Sequence, residues 1–235
     1  HAAAGLDLLR ESGLLGEVLP ELAATIGCEQ PPEFHSEWDV YTHIRLMLSQ
    51  LPEDADTGLI WSVLMHDIAK PVQASRDDDG RIRFFGHEKT GTDLARAILN
   101  RLRFPNVEID AVTTCVRYHT QLKDAREMRT ATLRKLFLRP VFATELELHR
   151  LDCLSSSGRL DNFEFLQAKF EAFQNQPELQ QPLLDGSDLI VLGQAPGPGF
   201  GALLKEARDR QLEGELTTRD QALGWLEAKV RAVTE

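Results

Sequence analysis

The run Leu59-Ile-Trp-Ser-Val-Leu-Met-His-Asp-Ile-Ala-Lys70 is apolar and ends on a side-by-side imidazole and carboxylate, His66 and Asp67, with Lys70 one helical turn beyond. Burying such a pair at the end of an apolar helix is costly unless something replaces the lost hydration, and a divalent metal ion does so. Nitrogen and oxygen donors together suit Zn, Mn, Fe or Ni, so the pair alone says little about which ion. Four more residues of the same type stand elsewhere: His43 in Val-Tyr-Thr-His, His87 in Phe-Phe-Gly-His-Glu, His119 in Val-Arg-Tyr-His, and Asp152 in Leu-His-Arg-Leu-Asp. Each has a plainer reading. A lone histidine on an apolar helix face is more often a hydrogen-bonded core residue, and one at a helix end is commonly a partner of the helix dipole. Their recurrence around His66-Asp67 favours the ligand reading.

The elements that must position these residues are helical. Val40, Ile44, Met47 and Leu48 repeat at helical spacing over Glu37–Leu51 and carry His43 near the buried side. The Lys70-Pro71 break ends the His-Asp helix. A small β-hairpin follows, from the runs Val72–Ser75 and Arg81–Phe85 around the turn Asp77-Asp78-Asp79-Gly80. Those aspartates imitate a calcium loop, but no glutamate follows at the spacing such a loop needs, and a solvated turn is the better reading. Gly86 opens a helix over His87–Leu102, so His87 falls in its first turn. Pro105 separates it from a helix that runs into Tyr118-His119. Two helices around Pro140 fill 129–156. Asp152 shares a stripe with Leu148 and Leu151, where an unpaired carboxylate would face apolar neighbours. His149, one turn earlier, reads as either a partner of a ligand or a surface residue, the surface reading being favoured.

Upstream, the leucines of residues 5–26 form two short helices joined near Ser12-Gly13. Downstream, Phe163, Phe165, Leu166, Phe170 and Phe173 make an aromatic stripe that reads as core. Gly197, Gly199 and Gly201 invite a phosphate-loop reading, yet no strand precedes them and no Gly-Lys-Thr follows. A helix entry with Pro198 in its first turn is the plainer account. Thr217 with Asp220 reads as the capping box of a last helix over 218–232.

Hydrophobic residues at 42%, charged residues at 27% and 235 residues in all describe one large core or one domain with an appendage. No apolar run has membrane-spanning length and nothing reads as a signal peptide. Cys28, Cys115 and Cys153 lack metal-ligand spacing and read as small buried hydrophobes in a reducing cytoplasm. The net charge of −11 argues against a broad basic surface for nucleic acid. A local basic segment remains in Arg81, Arg83, Lys89, Arg96, Arg101 and Arg103. The opening residue His1 points to a tag remnant, an engineered boundary or a cut from something longer.

The order His…His-Asp…Asp, with intervening histidines, resembles the HD superfamily of metal-dependent phosphohydrolases. That resemblance implies an all-α HD helical bundle with one small β-hairpin and a C-terminal helical tail. It implies that His43, His66, Asp67 and Asp152 hold one divalent ion and that His87 and His119 complete a second, with Asp67 bridging. Two ions (Mn, Ni, Fe, Mg or Zn) would activate a shared water and clamp a phosphate ester. Asp67 and Lys70 would be catalytic, with Lys70 binding the substrate phosphate as charge builds there. The bland alternative for Lys70 is a helix C-terminal lysine facing the dipole. Mixed-valence di-iron oxygenases of the same superfamily use similar ligands.

The phrases Gly-Arg-Ile-Arg-Phe-Phe-Gly-His-Glu, Asp-Leu-Ile…Gly-Pro-Gly-Phe-Gly and Gln-Leu-Glu-Gly-Glu-Leu-Thr-Thr-Arg extend the likeness over nearly the whole chain. Together they resemble the neck, HD and tail half of bacterial tRNA nucleotidyltransferases, the CCA-adding and poly(A) polymerase family. That implies neck-like helices over 1–30, an HD metal-binding domain over 31–158 and a helical tail over 159–235. The nucleotide-adding motifs of that family, an Asp-x-Asp head and a Glu-Asp-x-x-Arg selector, are not found, so this stretch is not expected to add nucleotides. The expectation is a metal-dependent phosphohydrolase acting on nucleotides, 2′,3′-cyclic phosphates or RNA ends, with a nucleotide or phosphate-ester substrate, tRNA or an RNA 3′ end as partner and no membrane. The alternative is a tRNA-binding body with no catalysis of its own.

Overall fold

In the computed structural model, which describes residues 1–31 and 39–234, fourteen α-helices and one two-stranded sheet are found among the described residues. The expected all-α fold with a small hairpin is what is observed. The chain divides into two compact units, residues 1–124 with 141–166, and residues 125–140 with 167–235.

The first unit opens with α1 (Ala2–Glu11), α2 (Leu15–Val18) and α3 (Pro20–Ala23). Two helices are expected there and three are found. Gly13 turns the chain at φ +76, and Pro20, at the first turn of α3, starts a new helix after the non-helical Leu19. Next come α4 (Val40–Ser49) and α5 (Thr57–Met65). The expected start of α4 at Glu37 lies outside the described residues. Asp39 caps α4, accepting from Thr42 N at 2.8 Å and from Gly27 N at 2.6 Å, and Asp56 caps α5 through Leu59 N at 2.7 Å. Burial pushes the Asp39 carboxyl up, but these hydrogen bonds outweigh it and its pKa is lowered. Its contribution is therefore complete above the ordinary carboxylate range and is lost as pH falls through the lowered value. Asp39→Ala should cost about 1 kcal/mol at neutral pH, with the difference from the parent shrinking in acid; urea melts at pH 7 and pH 3 check it.

The His-Asp helix ends earlier than expected. After α5, His66 is its C-cap, and α6 (Lys70–Gln73) winds a short turn of its own with Pro71 near its start. This takes residues that were expected in the first strand, and the hairpin shrinks to β1 (Ser75–Arg76) and β2 (Ile82–Arg83), in register Ser75↔Arg83. The Asp77 carboxylate accepts from the Arg81 and Asp79 amides and from Arg83 Nε, so this aspartate is spent on the turn, as expected. Then come α7 (His87–Arg101), α8 (Asn106–Tyr118), α9 (Thr130–Phe137), which belongs to the second unit, and α10 (Phe142–Ser155). Tyr41, Ile44, Met47, Val63, Met65, Ile98, Ile109 and Leu148 form the fully buried centre of the first unit. Gly91 lets α7 approach α8 closely: a Cβ there would meet Val116 Cγ1 at 3.2 Å. That approach is what brings the start of α7 to the end of α8.

α11 (Asp161–Gln174) begins in the first unit and continues in the second. The second unit adds α12 (Gly186–Val191), α13 (Pro198–Glu213) and α14 (Arg219–Thr234) around Leu184, Leu189, Leu216 and Leu226. Of the phenylalanine stripe, Leu166 and Phe173 are buried and Phe163, Phe165 and Phe170 half-buried, with the Phe137 ring 5.6 Å from those of Phe170 and Phe173. The cap of α14 is shifted by one residue from expectation. Thr218 Oγ1 accepts from Gln221 N, and Gln221 Oε1 accepts from Thr217 N, because the glutamine reaches back where Asp220 is too short.

Candidate metal centre

The candidate ligands converge from five helices of the first unit. His43 lies on α4, His66 caps α5 with Asp67 just beyond it, His87 starts α7, His119 caps α8 and Asp152 lies on α10. Three of these positions are helix ends, where a side chain projects past the last turn into space between helices. His43, His66, Asp67 and His119 are at most 5% exposed. Ligand atoms within 4.8 Å of one another form two triads, His43–His66–Asp67 and Asp67–His87–His119, which share Asp67. Asp67 Oδ2 is 3.0 Å from His66 Nε2, while Oδ1 is 3.3 Å from His87 Nε2 and 3.6 Å from His119 Nε2. Asp152 Oδ1 stands 3.2 Å from His43 Nε2.

The imidazoles are oriented from behind. Nδ1 of His66, His87 and His119 lies 2.9, 2.8 and 2.7 Å from the carbonyls of Val63, Phe84 and Val116. A carbonyl only accepts, so each Nδ1 carries a proton and each ring turns its Nε2 inward. His87 Nε2 and His119 Nε2 then face each other at 3.1 Å, and both face Asp67 Oδ1. An imidazole lone pair and a carboxylate oxygen so arranged repel unless a proton or a metal cation lies between them. This donor set fits a divalent ion. Burial pushes the His119 pKa down to about 4 against the opposing pull of Asp67, so its ring is neutral at pH 7. Burial raises the Asp67 carboxyl, but His66 and Lys70 outweigh it and hold it well below the usual range; Lys123 and His43 do the same for Asp152.

Lys70 is not at the end of the His-Asp helix but at the start of α6, 7% exposed, with Nζ 2.7 Å from Asp67 Oδ2 and 2.5 Å from Gln30 Oε1. One neighbour was missed from sequence and another was assigned to the surface. Lys123 reaches within 3.9 Å of Asp152 Oδ2 while its side chain stays 55% exposed. It lies on a 3-10 segment, Gln121–Glu127, whose short turns give no helical periodicity to read. His149, expected at the surface, is 4% exposed and packs against Asn162, whose Nδ2 is 3.1 Å from His149 Nε2 and donates to Leu122 O. Its spacing of three from Asp152 placed both on one helix face, a signal that could have found it.

A cavity of about 840 Å³ opens over the cluster, with His66, Asp67, His87, His119 and Asp152 among its walls and Phe85, Lys123 and Arg159 also lining it. Three of the six residues of the basic segment expected around the hairpin are paired with acids. Arg83 pairs with Asp77, Arg96 with Asp110 and Arg101 with Glu21.

A family described as "tRNA nucleotidyltransferase domain 2 putative" matches residues 86–226. The chain belongs to this tRNA nucleotidyltransferase family. It is 34% identical over 233 residues to the CC-adding tRNA nucleotidyltransferase of Thermus thermophilus, covering 96% of this chain and 52% of that protein. It is 32% identical over 238 residues to the A-adding tRNA nucleotidyltransferase of Deinococcus radiodurans, covering 96% and 54%. The multifunctional CCA protein of Alkalilimnicola ehrlichii is 35% identical over 157 residues, 66% of this chain and 35% of that protein. The chain thus spans about half the length of the first two relatives. These matches overturn the expectation of an HD-type phosphohydrolase: the named relatives are nucleotidyl transferases, and the tRNA-body alternative fits better. The ligand spacing alone could not separate the two, because the same donor set serves many chemistries. No helix among the described residues of this tRNA nucleotidyltransferase-family chain is long and apolar enough to cross a membrane.

Proposed function

We propose that the chain is the RNA-binding body of a tRNA nucleotidyltransferase, with a metal centre of HD type built into it. One observation carries this reading. A CC-adding and an A-adding relative each match 96% of the chain, at nearly equal identity. Two enzymes named for different added nucleotides share this half, so it carries what they have in common, which is engagement of tRNA. The selection of the nucleotide lies elsewhere. In this division of labour residues 1–30 act as neck-like helices, 31–158 as the metal-binding body and 159–235 as the tail. The protein works in the cytoplasm, in keeping with three cysteines that form no disulfide.

With a net charge of −11, RNA must be held locally. The cavity mouth supplies Lys123, Arg159 and Phe85, a ring 78% exposed. An exposed ring of this kind offers a stacking face to an unpaired base, and the two cations suit phosphates. His43, His66, Asp67, His87, His119 and Asp152 would hold the divalent ions, which as fixed positive charges would hold a phosphate oxygen of the RNA. Asp67 holds the centre together, and Lys70 holds Asp67.

Fluorescence anisotropy with a tRNA acceptor minihelix and a DNA duplex of equal length tests the reading. The minihelix should bind at least about tenfold more tightly, with a shallow salt slope reflecting only a few phosphate contacts. Equal affinity for the two would overturn it.

A further inference from the structure

We propose that Gln30 and Lys70 form a positioning relay for the metal centre. Gln30 holds the Lys70 ammonium, and Lys70 holds the Asp67 carboxylate so that each oxygen meets its own histidines. The inference rests on the metal-centre reading above.

An ammonium carries three N–H donors. Around Lys70 Nζ stand Asp67 Oδ2 at 2.7 Å, Gln30 Oε1 at 2.5 Å and the Phe84 ring with its centroid at 5.3 Å. The side chain is 9% exposed, and two of its three donors are taken by Asp67 and Gln30. Lys70 therefore acts through Asp67. By fixing Oδ2 it fixes the rotation of the carboxylate, and Oδ1 is left facing His87 and His119.

Phe84 supplies a second link. Its ring lies over the ammonium while its carbonyl receives the His87 Nδ1 proton at 2.8 Å. One buried cation thus joins the segment that carries Gln30, the bridging aspartate and the backbone that orients a histidine of the second triad. Gln30 is 5% exposed and hydrogen-bonds to Lys70 rather than to a candidate ligand. Replacing it with leucine changes no charge, which separates positioning from electrostatics. A lysine acting only as a nearby charge would oppose a bound cation, and its removal would tighten metal binding. A positioning lysine predicts the reverse.

The test uses the full chain and Co²⁺, read by the visible d–d spectrum and by titration calorimetry, with the melting temperature of the metal-free protein as control. Gln30→Leu should weaken Co²⁺ binding about tenfold, the lower end of what outer partners of metal ligands contribute, and change the d–d spectrum at a parent-like melting temperature. Gln30→Glu, which keeps an acceptor for the ammonium, should retain the parent spectrum, and Lys70→Met should also weaken binding. Parent-like Co²⁺ affinity and spectrum in Gln30→Leu, or tighter binding in Lys70→Met, would overturn the relay and leave the metal centre standing. If Gln30→Leu does not fold, Gln30→Glu and Lys70→Met decide: a changed spectrum in the first, or tighter binding in the second, overturns the relay. A parent that binds no Co²⁺ overturns both.

Discussion

Asp67→Ala should abolish metal binding and, in the same step, cost about 3–5 kcal/mol of stability. The reason is Lys70. Its ammonium is buried, its charge partner is the Asp67 carboxylate at 2.7 Å, and removing that carboxylate leaves a buried charge without compensation. From the sequence alone, Asp67 belongs to the site more than to the core, and its loss should leave a stable fold. The structure makes it part of both. Asp67→Ala combined with Lys70→Met should recover most of the stability, because an apolar chain of similar length replaces the stranded cation, while metal binding stays lost. Urea denaturation together with metal analysis separates the two effects. A single variant as stable as the parent would show that this pair does not organise the site.

His87→Ala and His119→Ala should each lower bound metal from about two ions per chain to about one, the count expected of a two-metal site. Both histidines belong to the triad that completes the second position, and neither touches His43 or Asp152 as a ligand partner. His87 stands in the first turn of α7 with its side chain 13% exposed, so its loss should hardly disturb the core. Elemental analysis after reconstitution with excess Mn, Ni or Co reads the outcome. A parent that never exceeds one ion would mean that His43, His66, Asp67 and Asp152 form the whole centre and that the facing imidazoles do something else.

What the sequence determined by itself is local and periodic. The helical class followed from apolar spacing, the hairpin from Asp77–Gly80, and the entry of α13 at Pro198 from the fixed φ of proline. The six candidate ligands were legible because charged and imidazole groups on apolar stripes need a partner, whatever the fold. The likeness to tRNA nucleotidyltransferases was likewise legible in short phrases, although the chemistry first attached to His66-Asp67 was not the one its relatives carry. Tertiary structure alone decided the rest. No spacing could show that Lys70 turns back onto Asp67 and Gln30, that Gly91 lets α7 bring His87 to His119, or that Lys123 reaches Asp152 from a 3-10 turn. Nor could it show that Arg83, Arg96 and Arg101 are matched by Asp77, Asp110 and Glu21. Such pairings join residues up to 80 positions apart. They depend on how helices pack, and side-chain direction at a helix end is set by that packing rather than by the period of the helix.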